Sequence, residues 1–251
     1  MNEDWIEIEG ERISLEMTPK LIKKLNLLPI FIRRYLEAKY TLPIIPEKDE
    51  QIAFQKEFMK TNGISDKESL TNWLNKNGKS EKEMNNILFN SLRLEIFKKT
   101  KFKKKVESIF LERKSDLDRV TYSIIRVKSR AKAVELHMRL NEEESTFPEL
   151  ASTYSEGIEN IMHGLIGPVE FANVNPVIRE YLKNSSPGQL WPPFEIDSWW
   201  IILRIERLLP ATLNEAMESR LIQEMYENWI KEKIMVSISQ IDNNLIENEI
   251  K

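Results

Sequence analysis

The feature that most constrains the fold is a wide apolar stripe near the end of the chain. Thr212 and Glu215 follow Pro210 with the spacing of a capping box, which predicts a helix from this point. Apolar residues then recur at three- and four-residue spacing: Met217, Leu221, Ile222, Met225, Tyr226, Trp229 and Ile230. A stripe of this width needs an apolar partner. We expect that partner to be the helices predicted for the N-terminal part of the chain.

The N-terminal part repeats a helical pattern with clear stop and start signals. Residues 62–65 and 77–80 each place a glycine helix stop before a serine, and each serine has a glutamate three residues later, Glu68 or Glu83. Helices are therefore predicted to begin near residues 66 and 81, and the second is expected to continue past Phe102. The predicted organisation has a helical lobe over 1–115 and a C-terminal helix over 211–251 that packs on it.

The segment between these helices has a different texture. A β-branched and aromatic run, 120–127, predicts a strand, and further strands are expected near 189–195 and 199–206. Helices are expected over 129–141, 147–154 and 174–184, with a glycine-containing loop over 157–173 that leads to another strand. This order predicts a small α+β domain over 119–210.

Composition excludes several classes of function. The 251 residues include no cysteine and only two histidines, so disulfide scaffolds, thiolate zinc sites and cysteine nucleophiles are excluded. No cofactor and no metal are expected. The N-terminus lacks the pattern of a signal peptide and no apolar run reaches 18 residues, so we expect a cytoplasmic chain without a membrane span. The net charge of −3 disfavours a nucleic-acid partner.

One charged run keeps a nucleic-acid alternative open. Residues 98–105 hold six lysines in eight positions, which fits either a phosphate-binding patch or the solvated face of a long helix. We favour the solvated face, because no nucleic-acid motif accompanies the run.

Five motifs in order across residues 119–210 resemble the parvulin family of peptidyl-prolyl isomerases. They are Ser123-Ile124-Ile125, Phe147-Pro148-Glu149-Leu150-Ala151-Ser152-Thr153-Tyr154-Ser155, His163-Gly164-Leu165-Ile166-Gly167, Ser186-Pro187-Gly188-Gln189-Leu190-Trp191-Pro192-Pro193 and Ser198-Trp199-Trp200-Ile201-Ile202. With helical segments on both sides, the whole chain resembles the SurA/PrsA-like class of helical foldases. The resemblance implies a four-stranded antiparallel sheet with surrounding helices, inserted between the two segments of an all-α lobe.

The resemblance also implies an isomerase site that binds extended, proline-containing polypeptide. The polar positions of the family, usually two histidines, a hydroxyl residue and a Cys or Asp, fall here on Ser123, Trp200, Glu195 and Gly157 with Glu156 beside it. The candidate catalytic residues are therefore Ser123, Glu156, Glu195 and Trp200. The candidate substrate-binding residues are His163, Ile166, Val174, Val177, Ile178 and Trp199. We expect Ile166, Val177 and Trp200 to border one apolar surface, with Ser123 and Glu195 at its polar end.

Some of these residues also have plainer interpretations. For His163 we favour a solvent-facing loop position, whereas Trp200 is equally explained as a side chain that fills the pocket rather than stacking on peptide. Two hypotheses follow for the chain. The first is a parvulin-type isomerase and foldase whose catalytic set is degenerate. The second is a catalytically weak or silent peptide-binding chaperone, or an accessory module in peptide maturation or export.

Overall fold

A computed structural model describes residues 5–249 of the chain. The strands are β1 (Trp5–Ile8), β2 (Glu11–Ser14), β3 (Arg119–Val127), β4 (Leu165–Glu170), β5 (Leu190–Ile196) and β6 (Trp199–Leu209). The helices are α1 (Thr18–Lys24), α2 (Leu28–Thr41), α3 (Lys48–Thr61), α4 (Lys67–Lys76), α5 (Glu81–Phe102), α6 (Val106–Leu117), α7 (Arg130–Asn141), α8 (Phe147–Tyr154), α9 (Pro176–Lys183) and α10 (Glu215–Glu249). Short 3-10 helices cover Leu15–Met17, Lys103–Lys105, Ile158–Met162 and Phe171–Asn173.

The chain divides into two compact units. One unit contains the described residues up to Val106 together with those from Glu218 onward, and the other is Glu107–Met217. The second unit holds β3 to β6 as an antiparallel sheet with the strand order β4-β3-β6-β5. The predicted α+β fold with a four-stranded antiparallel sheet is therefore confirmed.

The first unit is built around the apolar stripe of α10. Leu221, Ile222, Tyr226 and Ile230 are buried, and Trp229 has its ring centroid 5.1 Å from that of Tyr40 on α2. Phe97 and Phe102 of α5 also lie against the Trp229 ring, with centroids at 5.5 and 6.3 Å. Aromatic pairs at these distances add stabilisation beyond their buried area.

Polar contacts within the first unit accompany this packing. The guanidinium of Arg33 donates two hydrogen bonds to Glu227, at 2.9 and 2.8 Å, and the hydroxyl of Tyr226 donates to Glu37 at 2.9 Å. Burial, followed by the bond to Glu37, raises the pKa of Tyr226. The phenol therefore stays protonated at neutral pH and keeps its donor role.

The first unit also contains a short hairpin, β1 with β2, so the expectation of an all-α lobe is wrong. Glu9 and Gly10 form its turn with φ of 50° and 82°. A two-residue turn with both φ positive suits a hairpin. The alternation of Ile6 and Ile8 before this turn was the available signal in the sequence.

Two of the three predicted helix caps need correction. The capping box that begins α4 uses Asp66 and Ser69 in place of Ser65 and Glu68. Asn214 caps the first turn of α10, where its side chain accepts from the amide of Met217 at 2.9 Å, so Thr212 is not the cap. The capping box of Ser80 and Glu83 is confirmed. In each corrected case a second capping residue stood one or two positions from the predicted one, and both types cap well.

The lysine run is not one solvated helical face. The helix ends at Phe102, a 3-10 turn follows, and Lys98 is buried with its ammonium 2.7 Å from Glu95. Lys101 lies 4.8 Å from the centre of the Trp229 ring and Lys103 pairs with Glu218 at 3.5 Å. Three of the six lysines thus make contacts inside their own unit.

Candidate functional site on one face of the sheet

Alternation along β3 assigns its side chains to two different layers. Tyr122 and Ile124 pack in a core with α9, whose buried residues include Ile178 and Leu182. Ile125 and Val127 pack in a separate core with residues of α7 and α8. We call these two surfaces of the sheet the α9 face and the α7/α8 face. Since successive strand residues point to opposite faces, the register decides which candidate residues can meet.

Two glycines shape the start of the edge strand β4, Gly164 in the turn before it and Gly167 within it. Gly164 has φ of 81°, and a Cβ there would come within 2.7 Å of the Cβ of Ala151 and 2.9 Å of the carbonyl oxygen of Ile124. Gly167 has φ of 111°, and a Cβ there would lie 2.5 Å from the carbonyl oxygen of Val120. Only glycine fits both the backbone angle and the space. These two positions account for the glycine motif in the sequence.

The glycine turn places Ile166 on the α9 face. Ile166 pairs directly with Tyr122 across β4 and β3, so the two side chains lie side by side on this face. On the far side of the face, Phe194 of β5 stacks on Tyr181 of α9 with ring centroids 3.9 Å apart. Trp199 packs against the same core, and the ammonium of Lys128 lies 3.5 Å from the centre of its ring. The α9 face therefore offers partly exposed apolar and aromatic side chains.

An ion pair with a buried carboxylate adjoins this face. Arg126 alternates with Tyr122 and Ile124 on β3, and its guanidinium binds both carboxylate oxygens of Glu159, with Nε 2.9 Å from Oε1. The hydroxyl of Ser155 donates to the same carboxylate at 2.6 Å and accepts from the backbone amide of Arg126 at 3.0 Å. Glu159 is 4% exposed. The cluster fixes the Ile158–Met162 segment to β3.

The pKa values around this pair follow from burial and hydrogen bonding. Burial alone would raise the pKa of Glu159, but the hydrogen bonds from Arg126 and Ser155 outweigh it and hold that pKa below its ordinary value. The hydrogen bond to Glu159 raises the pKa of Arg126. Both groups are therefore charged at neutral pH. A nearly buried carboxylate keeps its charge only when it has such a partner.

Tyr122 is the polar residue of the α9 face that the sequence analysis missed. Burial raises the pKa of its phenol, while Arg126 lowers it and Glu159 raises it. Among the described residues none hydrogen-bonds to the Tyr122 hydroxyl. A neutral hydroxyl without a protein partner can donate to a bound carbonyl oxygen. The signal was present in the alternation of Tyr122 with Ile124, one position before the serine that the motif comparison selected.

The structure corrects the predicted polar end of the site. Ser123 lies on the α7/α8 face, where its hydroxyl donates to Glu206 at 2.6 Å, and Glu206 also accepts from Arg204 at 2.8 Å. Glu195 pairs in register with Trp200, and Trp200 packs against the α7/α8 core. Ser123, Glu195 and Trp200 therefore do not share a surface with Ile166. The expectation of one shared surface overlooked the alternation of side chains along the strands.

The remaining predicted residues divide between the two faces. Val174 and Ile178 are buried within the α9-face core, and Trp199 and Ile166 are partly exposed on it. Val177 is 45% exposed on α9 and lies outside that core. Glu156 is an exposed loop residue whose side chain accepts from the backbone amide of Lys128 at 3.1 Å. The structure thus brings Ile166 and Trp199 to the α9 face as partly exposed apolar residues.

Both histidines of the chain are associated with the α7/α8 face. His163 has a left-handed backbone with φ of 54°, and its Nδ1 lies 2.6 Å from the hydroxyl of Ser152 on α8. That hydroxyl also lies 2.7 Å from the carbonyl oxygen of Pro148, so it donates there and accepts from a protonated Nδ1. His137 lies on α7, and burial lowers its pKa. The substrate-binding role of His163 stays a prediction.

The described residues contain neither a cluster of metal ligands nor a membrane-spanning helix. They hold no group of three or more metal-ligating side chains, and none of their helices combines the length and hydropathy required to cross a bilayer.

Comparison with known proteins agrees with the architecture of the second unit. Residues 121–207 match the family model of the PPIC-type PPIASE domain, also called Rotamase. The four-stranded sheet and this match indicate a rotamase-like domain within the second unit, which we call the rotamase domain. The chain also resembles the chaperone SurA of Alcanivorax borkumensis, with 24% identity over 116 residues, which cover 42% of this chain and 27% of that protein. The chain thus matches about a quarter of the length of this curated relative.

The chain is also similar to solved structures. PrsA from Bacillus cereus shares 17% identity over 92% of this chain and 90% of that chain, with a TM-score of 0.47. PrsA from Bacillus anthracis shares 16% identity over 86% of this chain and 97% of that chain, with a TM-score of 0.43. The parvulin domain of PpiD from E. coli shares 25% identity over 39% of this chain and 95% of that chain, with a TM-score of 0.34.

Proposed function

We propose that the chain is a parvulin-type peptidyl-prolyl isomerase and foldase that acts on proline-containing polypeptides at the α9 face of its rotamase domain. The observation that carries the proposal is the cross-strand pair of Ile166 and Tyr122. An apolar side chain beside an unpaired hydroxyl is the combination that a prolyl amide needs, because the proline ring is apolar and its amide carbonyl accepts a hydrogen bond.

Rotation of an X-Pro amide requires little chemical assistance. The barrier is about 20 kcal/mol because resonance between nitrogen and carbonyl is lost in the twisted state. Burial of the proline ring against Ile166, beside Tyr122, would position the amide and remove water from it. Tyr122, kept protonated by the raised pKa of its phenol, would donate to the carbonyl oxygen as that oxygen swings past.

The proposed activity is weak. The histidines of the chain, His137 and His163, belong to the α7/α8 side, so the α9 face lacks the imidazole pair found in the family. The loss of one or two hydrogen bonds to the twisted amide corresponds to roughly 1–3 kcal/mol, or about one to two decades in rate.

The decisive measurement is NMR exchange on peptides with a single X-Pro bond, with the intact chain added in catalytic amounts. We expect measurable binding and a rate enhancement about ten- to hundredfold below that of a parvulin that retains both histidines. Chemical-shift changes should map to Ile166, Phe194 and Trp199. Binding confined to the α7/α8 face, around Trp200, would contradict the proposal.

The alternative is a catalytically silent, peptide-binding chaperone in which the helical unit binds the polypeptide. The observation that favours it is a groove of about 480 Å³ between α2 and α5, bordered by the exposed side chains of Leu42 and Ile87 and by Arg34 and Arg93. Suppression of aggregation of an unfolded client tests it. A Tyr122→Phe variant that suppresses aggregation as well as the original chain, while isomerisation is absent from both, would favour the chaperone.

The location of the protein, and any partner other than a polypeptide client, are predicted from the sequence alone. A cytoplasmic location stays a prediction. Nucleic-acid binding is a weak candidate, because Lys98, Lys101 and Lys103 already contact groups of their own unit.

A further inference from the structure

The segment Ile158–Met162 exposes large apolar side chains in an ordered position. Ile158 is 83% exposed and Ile161 is 77% exposed. In a 3-10 helix residues three apart lie one above the other, so these two isoleucines form one small apolar surface. We call it the isoleucine pair.

The exposure of the isoleucine pair is built into the local structure. Glu159 is the charged residue between them in the sequence. Its side chain turns inward to Arg126 and Ser155. The carbonyl of Glu159 accepts from the amide of Gly164 at 2.8 Å, which closes the segment. Gly157 has no room for a side chain, because a Cβ there would collide with the Glu159 carboxylate. The segment is anchored by its one charged residue, and the apolar residues are left outside.

The anchor also connects the isoleucine pair to the proposed peptide site. Arg126, which holds Glu159, pairs in register with Ile201 of the α9-face core and alternates with Tyr122 on that face, and the charge of Glu159 influences the phenol of Tyr122. Ile166 follows the same segment along the chain after the glycine turn. The segment borders the pair of Ile166 and Tyr122, because the carbonyl of Glu159 is bonded to Gly164, two residues before Ile166, and its carboxylate is bonded to Arg126, four residues after Tyr122. A residue next to a proline that rests on Ile166 would therefore be within reach of the segment.

We propose that the isoleucine pair is a specificity element that contacts the residue before proline and selects large apolar side chains there. This inference rests on the proposed function of the α9 face. The outward surface of the pair carries no charge, so a charged residue at that position of the peptide would lose water without gaining a partner. An apolar residue would bury surface against both isoleucines.

The test compares peptides that differ only in the residue X before proline, with X as Leu, Phe, Ala, Glu or Lys. Dissociation constants are measured for the intact chain, for an Ile158→Ser, Ile161→Ser variant, and for a control variant with Val134→Ser and Met138→Ser. The control residues are 41% and 53% exposed on α7, which covers the other face of the sheet. All four substituted side chains are exposed, so both variants are expected to fold.

We expect the original chain and the control to bind the Leu and Phe peptides about tenfold more tightly than the Glu and Lys peptides. The isoleucine variant should lose most of that preference and keep its affinity for the Ala peptide. An unchanged preference in the isoleucine variant, or a change in oligomeric state instead of in peptide selection, would overturn this inference alone. Absence of binding to every peptide by the original chain would overturn the proposed function.

Discussion

Glu159 and Arg126 form a two-point ion pair in which the carboxylate is nearly buried and the guanidinium is about one-third exposed. The hydrogen bonds from Arg126 and Ser155 lower the pKa of Glu159 in the folded state. A depressed folded pKa contributes stability above the unfolded value and loses it as the pH falls through the folded value. The ion pair therefore makes the stability of the rotamase domain depend on pH in the acid range.

The first prediction concerns Glu159→Gln. We expect the substitution to lower the free energy of unfolding by about 2 kcal/mol at pH 7, a value reduced for the partial exposure of Arg126. The difference between the two proteins should shrink as the pH falls below the ordinary carboxyl value of 4.5. Urea unfolding at pH 7, 5 and 3.5 checks this. A difference that grows toward acid pH would show that Glu159 is not the charged partner.

The second prediction concerns Tyr122→Phe and its neighbour Ser123→Ala. Tyr122→Phe should lower prolyl isomerisation about tenfold with little change in stability, because the hydroxyl has no partner among the described residues. Ser123→Ala should leave isomerisation unchanged and cost about 1 kcal/mol of stability, because Glu206 loses a donor. Peptide exchange rates and urea unfolding measure both. The reverse result would return the site to the α7/α8 face.

The third prediction concerns the glycine turn. Gly167→Ala should destabilise the domain by at least about 2 kcal/mol, because a Cβ would press on the carbonyl of Val120 at a backbone angle that L-residues rarely adopt. Gly188 offers a matched control, with φ of 86° and open space around its Cβ position. Gly188→Ala should cost only about 1 kcal/mol. Equal losses in thermal unfolding would mean that the close approach contributes nothing.

The fourth prediction concerns α10 in the helical unit. Trp229→Ala should cost about 3–5 kcal/mol, because the indole packs against Tyr40, Phe97 and Phe102. Met235→Ala, on the same helix and 61% exposed, should cost less than about 0.5 kcal/mol. A chain shortened to residues 1–210 should lose more helical content than the missing helix itself accounts for. Circular dichroism and chemical unfolding test both statements.

The sequence predicted the elements of the rotamase domain well because their signals are local. Helix α8 covers Phe147–Tyr154, as predicted, with Thr146 as its cap, and the strands fall within a few residues of their predicted ranges. The glycine positions were also informative, since Gly164 and Gly167 have no room for a Cβ.

The motifs alone could not predict which face of the sheet each residue occupies. Ser123 and Tyr122 are neighbours in the chain and lie in different cores, because a shift of one residue changes the face. Trp199 and Trp200 divide in the same way. The ion pair of Glu159 was hidden for a different reason, since only the folded chain brings it to Arg126.

The helical unit has a consequence for the order in which the chain can fold during synthesis. Its aromatic cluster joins Tyr40 and Phe97 to Trp229, so the earliest helices leave the ribosome long before the side chain that completes their core. The rotamase domain lies between them and can close its own sheet first. The N-terminal helices therefore wait, with apolar faces uncovered, for the last part of the unit to emerge, and a holding chaperone would have its largest effect in that interval.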